Sequence, residues 1–111
     1  MIPDLDLRRI EHWAAERIPE AARDDIRIDL ERSDRAVTIV EVRAEGVDGP
    51  ADWSTRTPIA RLRYTKTRAE WTLLWRDRRG DFHLYEPAQP TPHVSELLAE
   101  LDADPTGIFW G

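Results

Sequence analysis

Pro58-Ile59-Ala60-Arg61-Leu62-Arg63-Tyr64-Thr65-Lys66, followed after Thr67-Arg68 by Ala69-Glu70-Trp71-Thr72-Leu73-Leu74-Trp75-Arg76, is the stretch on which the fold turns. Each half is rich in β-branched, aromatic and aliphatic residues at alternating positions, the pattern of a strand with one buried face. A tight turn at Thr67-Arg68 sets Tyr64 opposite Trp71, Leu62 opposite Leu73 and Ala60 opposite Trp75. Every one of these pairs is apolar or aromatic, so the register that joins them packs best across the two strands. The expected product is a hairpin with one strongly apolar face and a second face that carries Arg61, Arg63 and Arg76.

Outward from this hairpin the alternation continues. Ile26, Ile28 and Leu30 alternate with Arg27, Asp29 and Glu31, which reads as a half-buried strand. Ala36 to Arg43 is the next strand, and a two-residue turn at Ser33-Asp34 places Leu30 opposite Val37 and Ile28 opposite Ile39. Ala44 to Arg56 holds two glycines, a proline and several acids and reads as a loop, with Trp53 folded back over the core. Downstream, Gly80 marks a turn and Phe82 to Glu86 is the last strand. A turn of even length brings Phe82 and Leu84 up beside Trp75. A one-residue bulge at Gly80 brings up His83 and Tyr85 instead. The even turn is preferred, because Phe and Leu bury better.

Two amphipathic segments flank the strands. Asp4 is placed to cap a helix with Leu7, Ile10, Trp13, Ala14 and Ile18 on one side, ended by Pro19. Thr91 and Pro92 open a second helix with Val94, Leu97, Leu98 and Leu101 on its apolar stripe. Ile108-Phe109-Trp110 forms an apolar tail that docks on its own domain or on a second subunit. An apolar sheet face must be covered, and these helices are the cover. The fold class is therefore α+β: an N-terminal helix, a five-stranded antiparallel meander and a C-terminal helix packed on one sheet face. At 111 residues the chain is one domain, 1–111.

Composition bounds the function. There is no cysteine, so disulfides and thiolate metal sites are excluded. No apolar run approaches the ~20 residues of a membrane span, and the first residues lack the regions of a signal peptide. The expectation is a cytoplasmic protein without membrane contact. The net charge of −6 conceals a segregation: residues 1–55 carry net −6, residues 56–79 net +6 and residues 80–111 net −6. The simpler expectation is that the basic middle pairs with its acidic flanks. The alternative is a basic patch for an anionic partner.

The string Thr57-Pro58-Ile59-Ala60-Arg61-Leu62-Arg63-Tyr64, then Trp71-Thr72-Leu73-Leu74-Trp75-Arg76-Asp77-Arg78, then Asp102-Ala103-Asp104-Pro105-Thr106-Gly107-Ile108-Phe109-Trp110-Gly111, resembles the bacterial domain-of-unknown-function family 3024. The resemblance covers most of the chain and is densest after Thr57. It implies a bacterial protein and carries no activity, cofactor or catalytic residue.

The residues themselves offer few catalytic patterns. His12, His83 and His93 have no helical i, i+4 spacing, so no metal site is expected. Ser33, Ser54 and Ser95 stand in no nucleophile motif, and the five glycines form no phosphate loop. Glu41-Val42-Arg43 has the outline of a nuclease strand but ends in Arg, which does not readily lose a proton. What remains is the second sheet face, where Arg61, Arg63 and Arg76 meet His83 and Tyr85 of the last strand, and where a carboxylate from Glu41 or a bound anion would relieve the repulsion between guanidiniums. The leading expectation is a non-enzymatic binding or adaptor domain that contacts a protein or other anionic partner through this face, without a cofactor and with no catalytic residue. Single-stranded nucleic acid is the alternative ligand, disfavoured by the acidic total. A small enzyme acting on an anionic substrate through His83, Glu41 or Tyr85 is the third reading. The open edges of the sheet also leave room for a homodimer.

Overall fold

The computed structural model describes residues 1–45 and 52–111. Its elements run α1 (Asp4–Arg17), a 3-10 turn (Glu20–Ala22), β1 (Ile26–Arg32), β2 (Ala36–Glu45), β3 (Asp52–Thr65), β4 (Glu70–Arg76), β5 (Phe82–Leu84) and α2 (Val94–Ala103). The strands form one antiparallel sheet in the order β1-β2-β3-β4-β5. Ile10 of α1 and Val94, Leu97, Leu98 and Leu101 of α2 pack with Val37, Ile39, Ala60, Leu62, Trp71 and Leu73 in one core cluster. The α+β meander with both helices on one sheet face is thus the observed architecture.

The decisive hairpin has the expected register, with Ala60 opposite Trp75, Leu62 opposite Leu73 and Tyr64 opposite Trp71. Trp71 is fully buried. Its indole Nε1 donates to Asp6 Oδ2 of α1 at 2.9 Å, and Tyr64 tilts against its ring at 5.1 Å. Asp6 is itself buried and also accepts from Arg9 Nη1 at 3.1 Å. A buried polar group needs a partner, and this one ties the N-terminal helix to the middle of the sheet.

Elsewhere the structure corrects the expectations. The β1–β2 turn falls at Asp34-Arg35, with Ser33 N–H donating to Ala36 O at 2.9 Å. Leu30 therefore faces Ile39 and Arg32 faces Val37. The slip is two residues, which keeps each side chain on its face because strand side chains repeat every two. Glu45 and Asp52 are already paired, so the expected loop is largely strand; its remainder, 46–51, lies outside the described residues. Trp53 is not part of the core: its ring lies under the Arg27 guanidinium, 4.6 Å away.

A bulge interrupts β2–β3 where Ile39 faces Ala60 but Val40 faces Pro58. Pro58 has no N–H to give, and a bulge is how an interior strand accommodates a proline. The extra residue, Ile59, turns into the core and not onto the arginine face. Asp4 is the first helical residue of α1, not a side-chain cap. Thr91 pairs with Trp71 through both backbone groups (2.7 and 3.0 Å), so it is extended and α2 starts at Val94. The tail docks on its own domain: Phe109 is buried against Tyr85, ring centroids 4.9 Å apart, and Trp110 Nε1 donates to Leu101 O at 2.8 Å.

Candidate functional site

The β4–β5 turn decides where the expected site residues go. Asp77 N–H donates to Asp81 O at 2.8 Å, which closes a three-residue loop, Arg78-Arg79-Gly80. Gly80 takes φ +92°, a left-handed conformation that suits glycine at the end of such a loop. The loop is not the preferred even turn. It sets Trp75 opposite His83, Leu74 opposite Leu84 and Arg76 opposite Phe82. His83 and Tyr85 therefore share the helix-covered face with Trp75, and Phe82 and Leu84 lie on the arginine face. The expected constellation is divided accordingly.

On the arginine face, Arg61 Nε donates to Thr38 Oγ1 at 2.9 Å and its guanidinium lies 4.0 Å above the Phe82 ring. Val40, Val42 and Leu74 on this face are buried although no helix covers them. Arg63 is exposed and lines a cleft at the far end of the sheet with Arg35 and Lys66. Arg76 stands at the opposite end beside the β4–β5 turn. Glu41 lies on the helix side and binds Arg43 Nε at 2.9 Å, so it does not separate the arginines. Tyr85 is buried in the core.

Burial pushes the Tyr85 phenol above its ordinary value, with smaller opposed contributions from its neighbours Thr106 and Glu100. A raised phenol pKa favours folding below the unfolded value of about 10. That contribution is lost as pH rises through the folded value. The expected result is a melting temperature that falls above pH ~10 and falls less steeply in Tyr85→Phe. Parallel melting curves for the two proteins between neutral and strongly alkaline pH would contradict it.

Among the described residues, the basic middle segment pairs with its flanks through one arginine. Arg56 donates to Asp29 Oδ2 at 2.9 Å and to Glu31 Oε2 at 3.0 Å, which holds its guanidinium above the usual range. Among the described residues, it is the one cation between 56 and 79 within ion-pair distance of a carboxylate.

The most developed surface forms around the β4–β5 turn. His83 packs against Trp75 with centroids 4.9 Å apart and ring planes tilted by 36°, and its Nε2 donates to Asp77 Oδ2 at 2.6 Å. The His83 hydrogen bond, reinforced by the Asp81 and Arg79 backbone N–H groups, holds the Asp77 carboxyl below its usual range. Asp77 is thereby occupied in fixing the turn and the imidazole. A cleft of about 420 Å³ runs between His83-Leu84 and Thr106/Ile108. A second cleft of about 650 Å³ joins it at Trp75 and Ile108 and is lined by Arg76, Arg78 and Arg79. Leu84 and Ile108 are 49% and 38% exposed, large values for apolar side chains. The arrangement can hold a ligand with both carboxylate and apolar groups.

Arg78, Arg79, Trp75 and Ile108 were not among the expected site residues. The Arg76-Asp77-Arg78-Arg79-Gly80 run was the available signal, since cations on a tight turn stay accessible whichever face the strand presents. Among the described residues there is no group of three His, Cys, Asp or Glu able to hold a metal ion, and no helix long and apolar enough to cross a membrane.

Comparison with curated proteins and with solved structures returned no match. The family model described as "Domain of unknown function (DUF3024)" matches residues 2–111. The chain, with its helix-capped meander and its Phe-Trp-Gly ending, belongs to the DUF3024 family.

Proposed function

We propose that this domain is a non-catalytic, cytoplasmic binding module that takes an anionic segment of a partner protein at its β4–β5 end. The observation that carries the reading is the set of three arginines, Arg76, Arg78 and Arg79, without ion-pair partners among the described residues and set around the exposed apolar edge of Trp75 and Ile108. Unpaired guanidiniums suit carboxylates, and an adjacent apolar patch supplies the area that charge alone does not. The His83–Asp77 pair has the reach of an acid–base couple. Its imidazole is packed against Trp75 and its carboxylate is shared with two backbone donors, which suits a fixed platform better than a proton shuttle. The net charge of −6 opposes approach to nucleic acid.

The test is fluorescence anisotropy with a labelled acidic nonapeptide of alternating Glu and Val, a Lys–Val counterpart and a labelled oligothymidine. The acidic peptide is expected to bind at low salt and to weaken as salt rises. The Arg78→Gln/Arg79→Gln double variant, which removes two exposed charges, should bind it about tenfold less tightly, roughly 1.4 kcal/mol, with an unchanged melting temperature. Equal binding by the variant, or preference for the basic peptide or the oligonucleotide, rejects the proposal.

A further inference from the structure

We infer that the anionic partner segment enters as a sixth strand: an extended acidic peptide that pairs along the outer edge of β5. This rests on the reading of the β4–β5 end as a binding site and adds how the partner is held.

The backbone hydrogen bonds carry the argument. Tyr85 N–H donates to Leu73 O and Asp77 N–H donates to Asp81 O, both at 2.8 Å, while Trp75 faces His83 between them. In an antiparallel pair, bonded and non-bonded positions alternate. Asp81, His83 and Tyr85 therefore direct their backbone groups to β4. Phe82 and Leu84 direct their N–H and C=O outward, and β5 is the last strand of the sheet. An unpaired edge of this kind is a template for a further strand.

Three features make this edge a better receptor than the other one. The cleft between His83-Leu84 and Thr106/Ile108 follows β5, so alternate side chains of an added strand have somewhere to go. Leu84 leaves an apolar contact exposed on the opposite face. The arginine turn, Arg78-Arg79-Gly80, ends immediately before Asp81, so acidic residues at one end of an added strand meet Arg78 and Arg79. β1, by contrast, carries Arg27, Asp29, Glu31 and Arg32, and its Asp29 and Glu31 are bound to Arg56. Charges of both signs along a strand are a common protection against pairing. The short β5 offers backbone groups from only two residues, so charge and the cleft must add to the attraction. That selects an acidic segment over a neutral one.

The experiment uses the unaltered protein and the Glu–Val nonapeptide. Two further peptides carry backbone N-methyl groups, one on the odd residues and one on the even. An added strand turns alternate residues toward β5, so one methylated peptide should lose binding at least tenfold and the other should keep it. Amide exchange at Phe82 and Leu84 should slow at least tenfold in the complex, with exchange at His83 little changed. Equal binding of both methylated peptides, or unchanged exchange at Phe82 and Leu84, overturns strand addition. If the acidic peptide binds in an Arg78- and Arg79-dependent way under that outcome, the binding-site reading survives alone. If the acidic peptide does not bind at all, both fall. A peptide-free dimer in light scattering with Phe82 and Leu84 already protected also overturns the inference, because a second copy then occupies the edge.

Discussion

Trp71→Ala is expected to cost about 3–5 kcal/mol, the range for removing a large aromatic side chain from a core. The ring is fully buried in the core cluster that the sheet forms with both helices. The change also removes the donor that Asp6 Oδ2 accepts at 2.9 Å, and Arg9, which donates to Oδ1, does not replace it. Against a total of about 5–15 kcal/mol for a domain, that loss leaves a sizeable unfolded fraction at physiological temperature. Urea unfolding followed by far-UV circular dichroism measures it. Trp75→Ala serves as the comparison: Trp75 is only partly buried and shares its face with His83, so its loss should be no more than about 2 kcal/mol. Equal losses for the two variants would mean that the core is not centred on Trp71.

Phe109→Ala is expected to cost about 3 kcal/mol, the low end of the core range, because the ring sits at the margin of the cluster. Phe109 is 6% exposed and packs on Tyr85. Its backbone is held as well. Asp104, in a left-handed conformation at the end of α2, accepts the N–H groups of Phe109 at 3.2 Å and Trp110 at 2.9 Å. Arg17 of α1 lies 4.5 Å above the Trp110 ring. The tail is therefore a clasp across both helices, and the segment 106–108 that borders the proposed groove depends on it. The melting temperature should fall by roughly 10 °C, and amides of the last turn should lose protection before the sheet does. A variant that melts with the wild type would show that the clasp adds nothing to stability.

Much of this fold was legible in the chain. The pairs Tyr64–Trp71, Leu62–Leu73 and Ala60–Trp75 followed from alternation and a tight turn, because that register sets the apolar and aromatic residues of one face opposite one another. Both helices were visible as apolar stripes. The α+β layering followed, since one apolar sheet face and two apolar helix stripes have one economical arrangement. The buried Asp6 was hidden, because a carboxylate at a helix start ordinarily faces water and one of the two donors that make its burial tolerable is the distant Trp71 indole.

The candidate site was less legible, for one local reason. Whether His83 or Phe82 stands beside Trp75 depends on the parity of a single turn. The chain marks that turn by Gly80, and glycine permits either form. The closing bond between Asp77 and Asp81 and the Asp77 carboxylate's bonds to Arg79, Asp81 and His83 selected the odd loop. Once it formed, His83 and Tyr85 moved to the helix side and the expected six-residue face no longer existed.

The sequence by itself determined the element order, the sheet's apolar face and the excess of cations between 56 and 79, because these depend on composition and on periods of 2 and 3.6 residues. Only the tertiary structure decided which of those cations are satisfied. Arg56 reaches Asp29 and Glu31 across some twenty-five residues of chain, and Arg61 finds Thr38 and Phe82 on neighbouring strands. Arg76, Arg78 and Arg79 are left at a turn beside an apolar edge, since ion pairing is a matter of distance in space and no pattern along the chain encodes it.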